Sequence, residues 1–351
     1  PDPKNLLVCA NGIVDLTTGK IIDHDPRLLT FNKVNYAYDP QAPVPDLWAK
    51  KFLKEAWPDA DEQDCIDTLQ MAFGYSLTAD TSQQKIFLFI GPIRSGKGTI
   101  LRVWTAMLGP HNVCSPKIAD FGSTFGLQAA INKRLATITD MRIGNKTDRG
   151  TLVSNLISIS GEDYQTIHRK YLDAWEGYLT IRIVIATNEL PQILDVSGAL
   201  TSRYILLPMR QSFFGREDRT LKDKLLEHQA GILNWAITGY KMLKERDHFT
   251  QPASGVDTLH TLNLLNAPVA AFIEDCCRYD ANATADKDKL YSSYTCWALQ
   301  EGIPALCKPV FCKDLLEAGR GKIMPYRPAV ADGPRTEYYR GLALIKEGWP
   351  T

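Results

Sequence analysis

A glycine-rich turn that holds a lysine is the feature of this sequence best suited to chemistry. It runs from Gly91 to Lys97 (GPIRSGK), between the apolar run KIFLFI and a segment with helical spacing. Glycines let backbone N–H groups wrap around a phosphate, the start of a helix adds its dipole, and lysine adds a mobile positive charge. The spacing fits the GxxxxGK pattern of nucleotide-binding loops. We predict that the nucleotide site consists of Gly91, Pro92, Ile93, Arg94, Ser95, Gly96, Lys97, Gly98 and Thr99.

The residue after the lysine departs from the usual pattern. A Ser or Thr at that position normally ligates Mg²⁺, whereas this chain has Gly98 and carries the hydroxyl one residue later, on Thr99. Small nucleotide kinases use a similar GKGT string, so a nucleotide kinase is one alternative. The upstream stretch argues against it, because such a kinase begins with its phosphate loop and residues 1–80 precede this one.

Two polar side chains follow apolar, strand-like runs further along the chain. Asp140 ends RLATITD, where an ATPase needs a carboxylate for Mg²⁺ and for the attacking water. Asn188 ends TIRIVIATN, and a carboxamide there can hold the lytic water or contact the γ-phosphate. Asp and Asn at strand ends also form turns and caps, which is the structural alternative. Because both follow Lys97 in the expected order, we interpret all three as catalytic, with Thr99 and Asp140 as metal ligands.

Two groups of basic residues could meet phosphate. His168, Arg169 and Lys170 form the tip of SGEDYQTIHRKYLDAWEG, with tyrosines nearby, which suits phosphate contact and base stacking on single-stranded DNA. Arg203 lies just before the apolar run YILLPM, where it could reach a neighbouring subunit's site and neutralise charge on the γ-phosphate. A solvated hairpin and a structural salt bridge are the respective alternatives.

Periodicity predicts the elements that must position these residues. Strand-like apolar runs alternate with helical segments from Lys85 to Pro208, which favours a mostly parallel α/β sheet covered by helices. Before it, short strands in residues 6–22 and helical spacing in residues 46–76 predict a small α-rich collar. Residues 219–246 have helical spacing, and HFTQPASGVD then interrupts the pattern and indicates a domain boundary.

In this order the motifs resemble the helicase part of phage and plasmid primase-helicases, members of helicase superfamily 3. NGIVDLTTGKI and FGYSLTADTSQQKIFLFIGP are similar to the family's N-terminal helicase-associated region running into its phosphate loop. KRLATITD resembles its second motif, LISISGEDYQTIHRKY its DNA-contacting motif and IVIATNELPQI its third. ALTSRYILLPMRQSFFGREDRTLKDKLLEHQAGILNWAITGY is similar to the arginine-finger region and the helical segment after it. The resemblance covers most of the chain.

The resemblance implies an AAA+-type P-loop ATPase core that assembles as a ring, usually a hexamer. ATP and Mg²⁺ would bind between subunits, with Lys97, Asp140 and Asn188 from one subunit and Arg203 from the next. Lys170 and its basic neighbours would line the central pore and follow single-stranded DNA. The family usually has two adjacent acids where this chain has Asp140 alone, which leaves the remaining metal ligands and the catalytic base open.

The C-terminal portion predicts a winged-helix domain, which resembles the domain often appended in this family. GKIMPYRP and EYYRGLALI form a predicted hairpin across the ADGPRT turn. Between residues 305 and 345, seven basic residues against four acidic ones favour duplex DNA contact, with Lys308 and Lys313 as candidates. Protein docking is the alternative. The three helical segments expected before the hairpin are residues 267–279, 287–302 and 308–319.

Composition sets further limits. A chain of 351 residues with 44% hydrophobic content can form two or three domains. We place a collar at residues 1–80, the ATPase core at 81–250 and the winged helix at 258–351. Forty basic residues balance forty acidic ones, so any DNA contact must come from local loops rather than a global positive field. Eight cysteines without CxxC or zinc-finger spacing predict reduced thiols.

The sequence shows no apolar run of membrane-spanning length and no signal-peptide pattern, so we expect a protein of the bacterial host cytoplasm without a membrane partner. Because the chain starts at Pro1 without Met, we expect a longer polypeptide, and the family resemblance leaves open whether a primase domain precedes residue 1. The predicted function is an ATP-dependent, ring-forming DNA helicase that acts in phage, prophage or plasmid replication. A P-loop nucleotide kinase and a non-catalytic origin-binding or loader module are the alternatives.

Overall fold

The computed structural model describes residues 3–28, 33–59, 62–139, 141, 147–191, 193, 195, 198–327 and 337–345. The chain divides into two compact units. One comprises Pro1–Pro191 and Arg203–Thr258, and the other comprises Gln192–Ser202 and Leu259–Thr351. Within the described ranges, the structure contains no helix with the length and apolar character needed to span a membrane.

The first unit begins with a small antiparallel sheet in the order β1-β2-β3, followed by helices. A π-helical turn at Leu47–Phe52 leads directly into the first α-helix. These elements agree with the strands and the α-rich stretch that periodicity predicts. In chain order they are β1 (Leu6–Cys9), β2 (Gly12–Asp15), β3 (Ile21–Ile22), α1 (Leu53–Ala56) and α2 (Gln63–Ser76).

A five-stranded parallel sheet forms the centre of the first unit. Its strand order is β10-β4-β9-β6-β5, and every neighbouring pair is parallel. The α/β class with a parallel sheet is therefore confirmed. In chain order the elements are β4 (Ile86–Ile90), α3 (Lys97–Leu108), β5 (Val113–Cys114), β6 (Leu135–Ile138), α4 (Arg149–Ser160), β7 (Gln165–Arg169), β8 (Leu172–Gly177), β9 (Arg182–Thr187), β10 (Tyr204–Pro208), α5 (Leu221–Leu226) and α6 (Gln229–Arg246).

The connections from β4 and β9 diverge, although these two strands are neighbours. From β4 the chain passes through α3 to β5 at one edge of the sheet, whereas from β9 it continues to β10 at the other edge. Such a switch point opens a crevice at the carboxyl ends of parallel strands, where ligands of open α/β sheets bind. The register aligns Ile90 with both Thr187 and Pro208, so β10, β4 and β9 end together.

Aromatic packing joins the helices before and after the sheet. Phe73 of α2 stacks on Trp104 of α3, with ring centroids 4.3 Å apart, and meets Trp235 of α6 edge-on at 5.3 Å. Trp48 lies against the same Trp235 at 5.5 Å. Burial of rings this large contributes strongly to stability. The N-terminal helices and the sheet thus share one hydrophobic core.

The second unit combines helices with a three-stranded antiparallel sheet in the order β11-β13-β12. The pairing of β12 with β13 confirms the expected hairpin, while the ADGPRT turn lies outside the described residues. After α6 the elements are α7 (Val256–Asn266), α8 (Pro268–Cys276), β11 (Cys277–Asp286), α9 (Lys287–Gln300), α10 (Lys308–Ala318), β12 (Met324–Tyr326) and β13 (Tyr338–Leu344).

Strand β11 differs from the sequence-based expectation of a helix through residue 279. The helix ends at Cys276, and the next ten residues form a strand. CRYDANATAD lacks the apolar alternation that identifies strands, and its pairing with β13 is interrupted by a bulge between Asp280 and Thr284. The strand therefore depends on long-range pairing with β13, which local periodicity does not report.

Candidate nucleotide-binding cleft

The predicted phosphate loop leaves the carboxyl end of β4 and enters α3 at Lys97. The N–H of Gly91 donates to the carbonyl of Thr187, at the end of β9, over 3.3 Å. A Cβ on Gly91 would lie 2.0 Å from the carbonyl oxygen of Met209, just after β10. Gly96 adopts φ +96°, a left-handed conformation that favours glycine. Steric constraints therefore require glycine at both positions.

Lys97 lies at the centre of this loop. Its ammonium donates to the carbonyls of Gly91 at 2.6 Å and Pro92 at 2.8 Å, and to the hydroxyl of Ser95 at 2.9 Å. Burial lowers the pKa of Lys97. The lysine is thus partly desolvated and held by oxygen atoms of the loop itself.

The segment after β10 fixes the outside of the loop. The N–H of Phe213 donates to the carbonyl of Arg94, and the hydroxyl of Ser212 donates to the carbonyl of Ile93, both at 2.9 Å. Arg94 itself has φ +60° and pairs with Glu217 at 3.4 Å. Backbone strain of this kind persists only where surrounding contacts enforce it. The loop conformation is therefore set by contacts distant in sequence.

The loop opens onto a cleft of about 1040 Å³. Three segments and Asn188 line it. The segments are the loop with the start of α3, residues between Leu47 and Pro58, and residues between Gln211 and Lys222. Eight of its twenty-three lining residues are Lys or Arg and three are Asp or Glu. This excess of positive charge, in a chain without net charge, attracts polyanions to the cleft.

The N-terminal helices contribute a wall that sequence reasoning missed. Phe52 packs so closely on the loop that a Cβ on Gly96 would approach its ring to 3.0 Å. Leu47 and Pro58 also line the cleft. The helical spacing around Trp48 and Phe52 indicated an apolar face, but nothing in it indicated that this face would meet the phosphate loop.

The structure brings together only part of the predicted catalytic set. Lys97, Thr99 and Asn188 line the same cleft, with Asn188 at the carboxyl end of β9. Asp140 lies outside the described residues; β6 ends at Ile138, at the same carboxyl edge of the sheet. Arg203 is described but does not line the cleft.

Arg203 lies at the amino ends of the parallel strands, whereas the cleft lies at their carboxyl ends. It immediately precedes β10, whose five residues separate it from the carboxyl edge by ~16 Å. Its guanidinium donates to the hydroxyl of Ser160, the last residue of α4, at 3.2 Å. Within one chain, Arg203 and Lys97 therefore lie at opposite ends of the parallel strands.

The predicted basic tip lies on the two-stranded hairpin of β7 and β8. His168 and Lys170 are exposed, and Tyr171, at φ +60°, is 101% exposed. The guanidinium of Arg169 donates to the carbonyl of Asp173 at 2.8 Å. The N–H of Lys170 donates to the side chain of Gln128 at 3.1 Å, which ties the tip to the body of the unit.

The two lysines predicted for duplex contact have different environments. Lys308 forms an ion pair with Asp288 of α9, whereas Lys313 is exposed on α10. Arg278 and Lys322 line a pocket of about 400 Å³ in the second unit. Lys322 is one of the seven basic residues counted between residues 305 and 345, whereas Arg278 lies outside that stretch.

The described parts of the chain bear on the expectations for metal ligands and cysteines. There, no three His, Cys, Asp or Glu side chains cluster where they could hold a metal ion. All eight cysteines lie in the described ranges, and none forms a disulfide.

Two protein families match parts of the chain. Residues 1–58 match the family described as D5 N terminal like, and residues 89–203 match a family of unknown function, DUF5906. The second match runs from the end of β4 to Arg203 and includes the phosphate loop, the hairpin and Asn188. The N-terminal match supports a relation to phage primase-helicases.

The chain is similar to solved structures at low sequence identity. The apo structure of the NrS-1 C terminal region (305–718) matches with a TM-score of 0.50 and 12% identity, covering 87% of this chain and 77% of that chain. The A form apo structure of the same region gives a TM-score of 0.49 and 13% identity, covering 82% of this chain but only 65% of that one. The TM-score of 0.50 supports a shared fold.

Proposed function

We propose that this chain is the motor of an ATP-dependent, ring-forming DNA helicase that translocates on single-stranded DNA in phage, prophage or plasmid replication. The observation that carries the proposal is the position of Lys97. It lies in a sterically fixed glycine loop at the switch point of a parallel sheet, and Asn188 lines the same cleft. The relation to primase-helicases supplies the context of replication.

The loop residues would bind the triphosphate of ATP. Backbone N–H groups at the start of α3 and the helix dipole would face the phosphates. The Lys97 ammonium would exchange the carbonyls of Gly91 and Pro92 for phosphate oxygens, which carry more negative charge.

Magnesium fits this arrangement. Mg²⁺ bound with a nucleotide takes one or two protein ligands and completes its shell with phosphate oxygens and water. Thr99 lines the cleft two residues from Lys97 and would supply a hydroxyl, and Asp140 is the proposed carboxylate. The ion would neutralise phosphate charge and help orient the attacking water.

Hydrolysis would require two subunits. Asn188 would orient the attacking water beside the γ-phosphate of its own cleft. Arg203 lies at the amino ends of the parallel strands, so it would serve the cleft of the next subunit, where an arginine stabilises charge in the transition state. This separation favours a closed ring, and we propose a hexamer.

The hairpin would hold the DNA. In a ring, the exposed cations of each tip would meet at the axis and concentrate positive charge that the whole chain lacks. Aromatic residues near the tip, including Tyr171, could stack on bases. The second unit, with α8, α9, α10 and its three-stranded sheet, is consistent with a winged helix that would contact duplex DNA.

A nucleotide kinase is the second candidate, because the loop ends in the GKGT string. It predicts phosphoryl transfer to a nucleoside monophosphate and no response to DNA. A helicase predicts hydrolysis that single-stranded DNA accelerates.

The test measures ATP hydrolysis with and without single-stranded DNA, together with strand displacement. Lys97→Ala should lower hydrolysis about 100-fold or more, since a preorganised charge on the transferred phosphate is lost. The matched control Lys20→Ala removes an exposed lysine of the same unit and should behave as wild type.

Mixing Lys97→Ala with Arg203→Ala should restore part of the hydrolysis that each lacks alone. Mixed interfaces would then contain one intact Lys97 and one intact Arg203. The helicase proposal fails if DNA leaves hydrolysis unchanged and no duplex opens. A lack of rescue on mixing would contradict the shared site.

A further inference from the structure

Arg203 lies against the last turn of α4. Its Nη1 donates to the Ser160 hydroxyl at 3.2 Å, and that hydroxyl in turn donates to the carbonyl of Leu156 at 2.6 Å. A Cβ on Gly161, the next residue, would lie 3.0 Å from both terminal nitrogens of Arg203. The carboxyl end of a helix attracts cations through its dipole. The guanidinium therefore packs closely against the last turn of α4.

The same turn of α4 anchors the root of the hairpin. Gln165 is the first residue of β7 and is buried. Its side-chain nitrogen donates to the Ser158 hydroxyl at 2.6 Å, and to the carbonyl of Asp163 at 3.2 Å. The segment between helix and strand is held by Glu162, which accepts from the Thr81 hydroxyl at 2.6 Å. A displacement of β7 would therefore act on the turn that binds Arg203.

A second cation opposes this arrangement. The pKa of Lys85 is lowered, first by its burial and then by the positive charge of Arg203. The two cations thus repel each other, while Ser160 and the helix end attract Arg203. The charge of Lys85 therefore acts against the attraction that holds the guanidinium on α4.

We propose that Arg203 alternates between two positions and that the last turn of α4 selects between them. Without DNA, Ser160 holds the guanidinium on its own subunit. DNA on the hairpin shifts β7 and that turn, and Arg203 moves to the nucleotide of the next subunit. This inference rests on the proposed helicase function, and Ser160 is a positioning residue in it.

Substitution of Ser160 is expected to raise the DNA-free rate of ATP hydrolysis rather than lower it. Ser160→Ala removes the acceptor on α4, so Arg203 is held less firmly on its own subunit without DNA. We expect the DNA-free rate of hydrolysis to rise about three- to tenfold, the range that the net contribution of a typical intramolecular hydrogen bond gives. The stimulation by single-stranded DNA should fall by a similar factor, while DNA affinity stays unchanged. The control Ser154→Ala removes an exposed serine from the same helix and should leave both rates as in wild type.

Gly161→Ala tests the same position independently. Gly161 has φ −89°, which alanine can adopt, and the added methyl group would meet the Ile157 carbonyl at 2.9 Å and the guanidinium at 3.0 Å, so both the last turn of α4 and Arg203 must shift. It should raise the DNA-free rate in the same direction as Ser160→Ala. Adding Arg203→Ala to either variant should abolish the rise, because the released group is then missing.

The outcomes separate this inference from the proposed function. If wild type is stimulated by DNA and Ser160→Ala shows an equal or lower DNA-free rate, the two-position inference is wrong and the helicase proposal stands. If wild type neither hydrolyses ATP nor responds to DNA, both are overturned. Thermal unfolding of each variant, expected to match wild type within a few degrees, identifies a loss caused by misfolding.

Discussion

The nucleotide cleft and the basic hairpin both offer cations to phosphate, but they hold those cations differently. Lys97 is half-buried and donates to three oxygens of a loop that two strands and a later segment fix in place. Lys170 is exposed at a tip tied to the body through its backbone. Phosphate chemistry needs preorganised charge, whereas contact with a moving strand needs side chains that can adapt. The difference between the two regions matches the two tasks we propose.

The largest effect is expected from Gly91→Ala. The new Cβ would lie 2.0 Å from the Met209 carbonyl, so β4, β9 and β10 could not keep their common end. We expect a loss of about 3 to 4 kcal/mol in the free energy of unfolding and loss of nucleotide binding. Urea unfolding and fluorescent-nucleotide titration measure the two effects.

Gly98→Ala is the matched control in the same region. Its Cβ would meet only the flexible end of Arg102 at 3.3 Å, and alanine favours the helix by up to about 1 kcal/mol. Stability should be unchanged or slightly higher. If both glycine variants behave alike, the cleft is not held by the steric fit described here.

A second prediction compares a buried cation with a partly exposed one. Arg182, at the start of β9, is 2% exposed. Its guanidinium donates to the Thr180 carbonyl at 3.0 Å and to the Thr78 hydroxyl at 3.1 Å. It also lies over the ring of Tyr75, 4.4 Å from the ring centroid. Arg182→Met leaves those oxygens without a donor and should cost about 2 to 3 kcal/mol. Arg169→Met on the hairpin should change stability by less than about 0.5 kcal/mol. Chemical denaturation of both variants checks this, and equal losses would contradict it.

A third prediction concerns Lys170. Lys170→Ala should leave unfolding and DNA-free hydrolysis as in wild type but weaken binding to single-stranded DNA. Each lost phosphate contact should reduce the slope of log K against log salt by about 0.7. Anisotropy titrations over a range of salt concentrations measure that slope, with the exposed Lys117→Ala as control. An unchanged slope would exclude Lys170 from the DNA contact.

The smallest effect is expected from an exposed ion-pair network in the second unit. Lys287 and Arg327 bind Glu337 and lower its pKa to about 2. Because the folded pKa is depressed, the stabilisation is present above the unfolded value of about 4.5 and is lost as pH falls toward about 2. Glu337→Gln should make the melting temperature vary less with pH across this window. Glu317→Gln, on the exposed face of α10, should leave the pH dependence of the melting temperature as in wild type. A wild-type profile for Glu337→Gln would contradict this role.

Much of the central sheet could be predicted from local sequence. The apolar runs of β4, β6, β9 and β10 and the helix after the loop lie where periodicity placed them. Strand β11 was missed because its residues are polar and its pairing partner is more than fifty residues away. The role of Phe52 was missed for a similar reason: an apolar helix face does not specify what it will pack against.

The sequence by itself determined the glycine loop, the lysine within it and the order of polar residues at strand ends, because these follow from steric limits and short-range periodicity. Only the tertiary structure decided that β9 lies beside β4, which brings Asn188 to the cleft of Lys97. It also decided that Arg203 binds Ser160 at the amino ends of the parallel strands, away from that cleft. Strand order depends on which distant segments bury surface together, and residues adjacent in the chain carry little information about that choice.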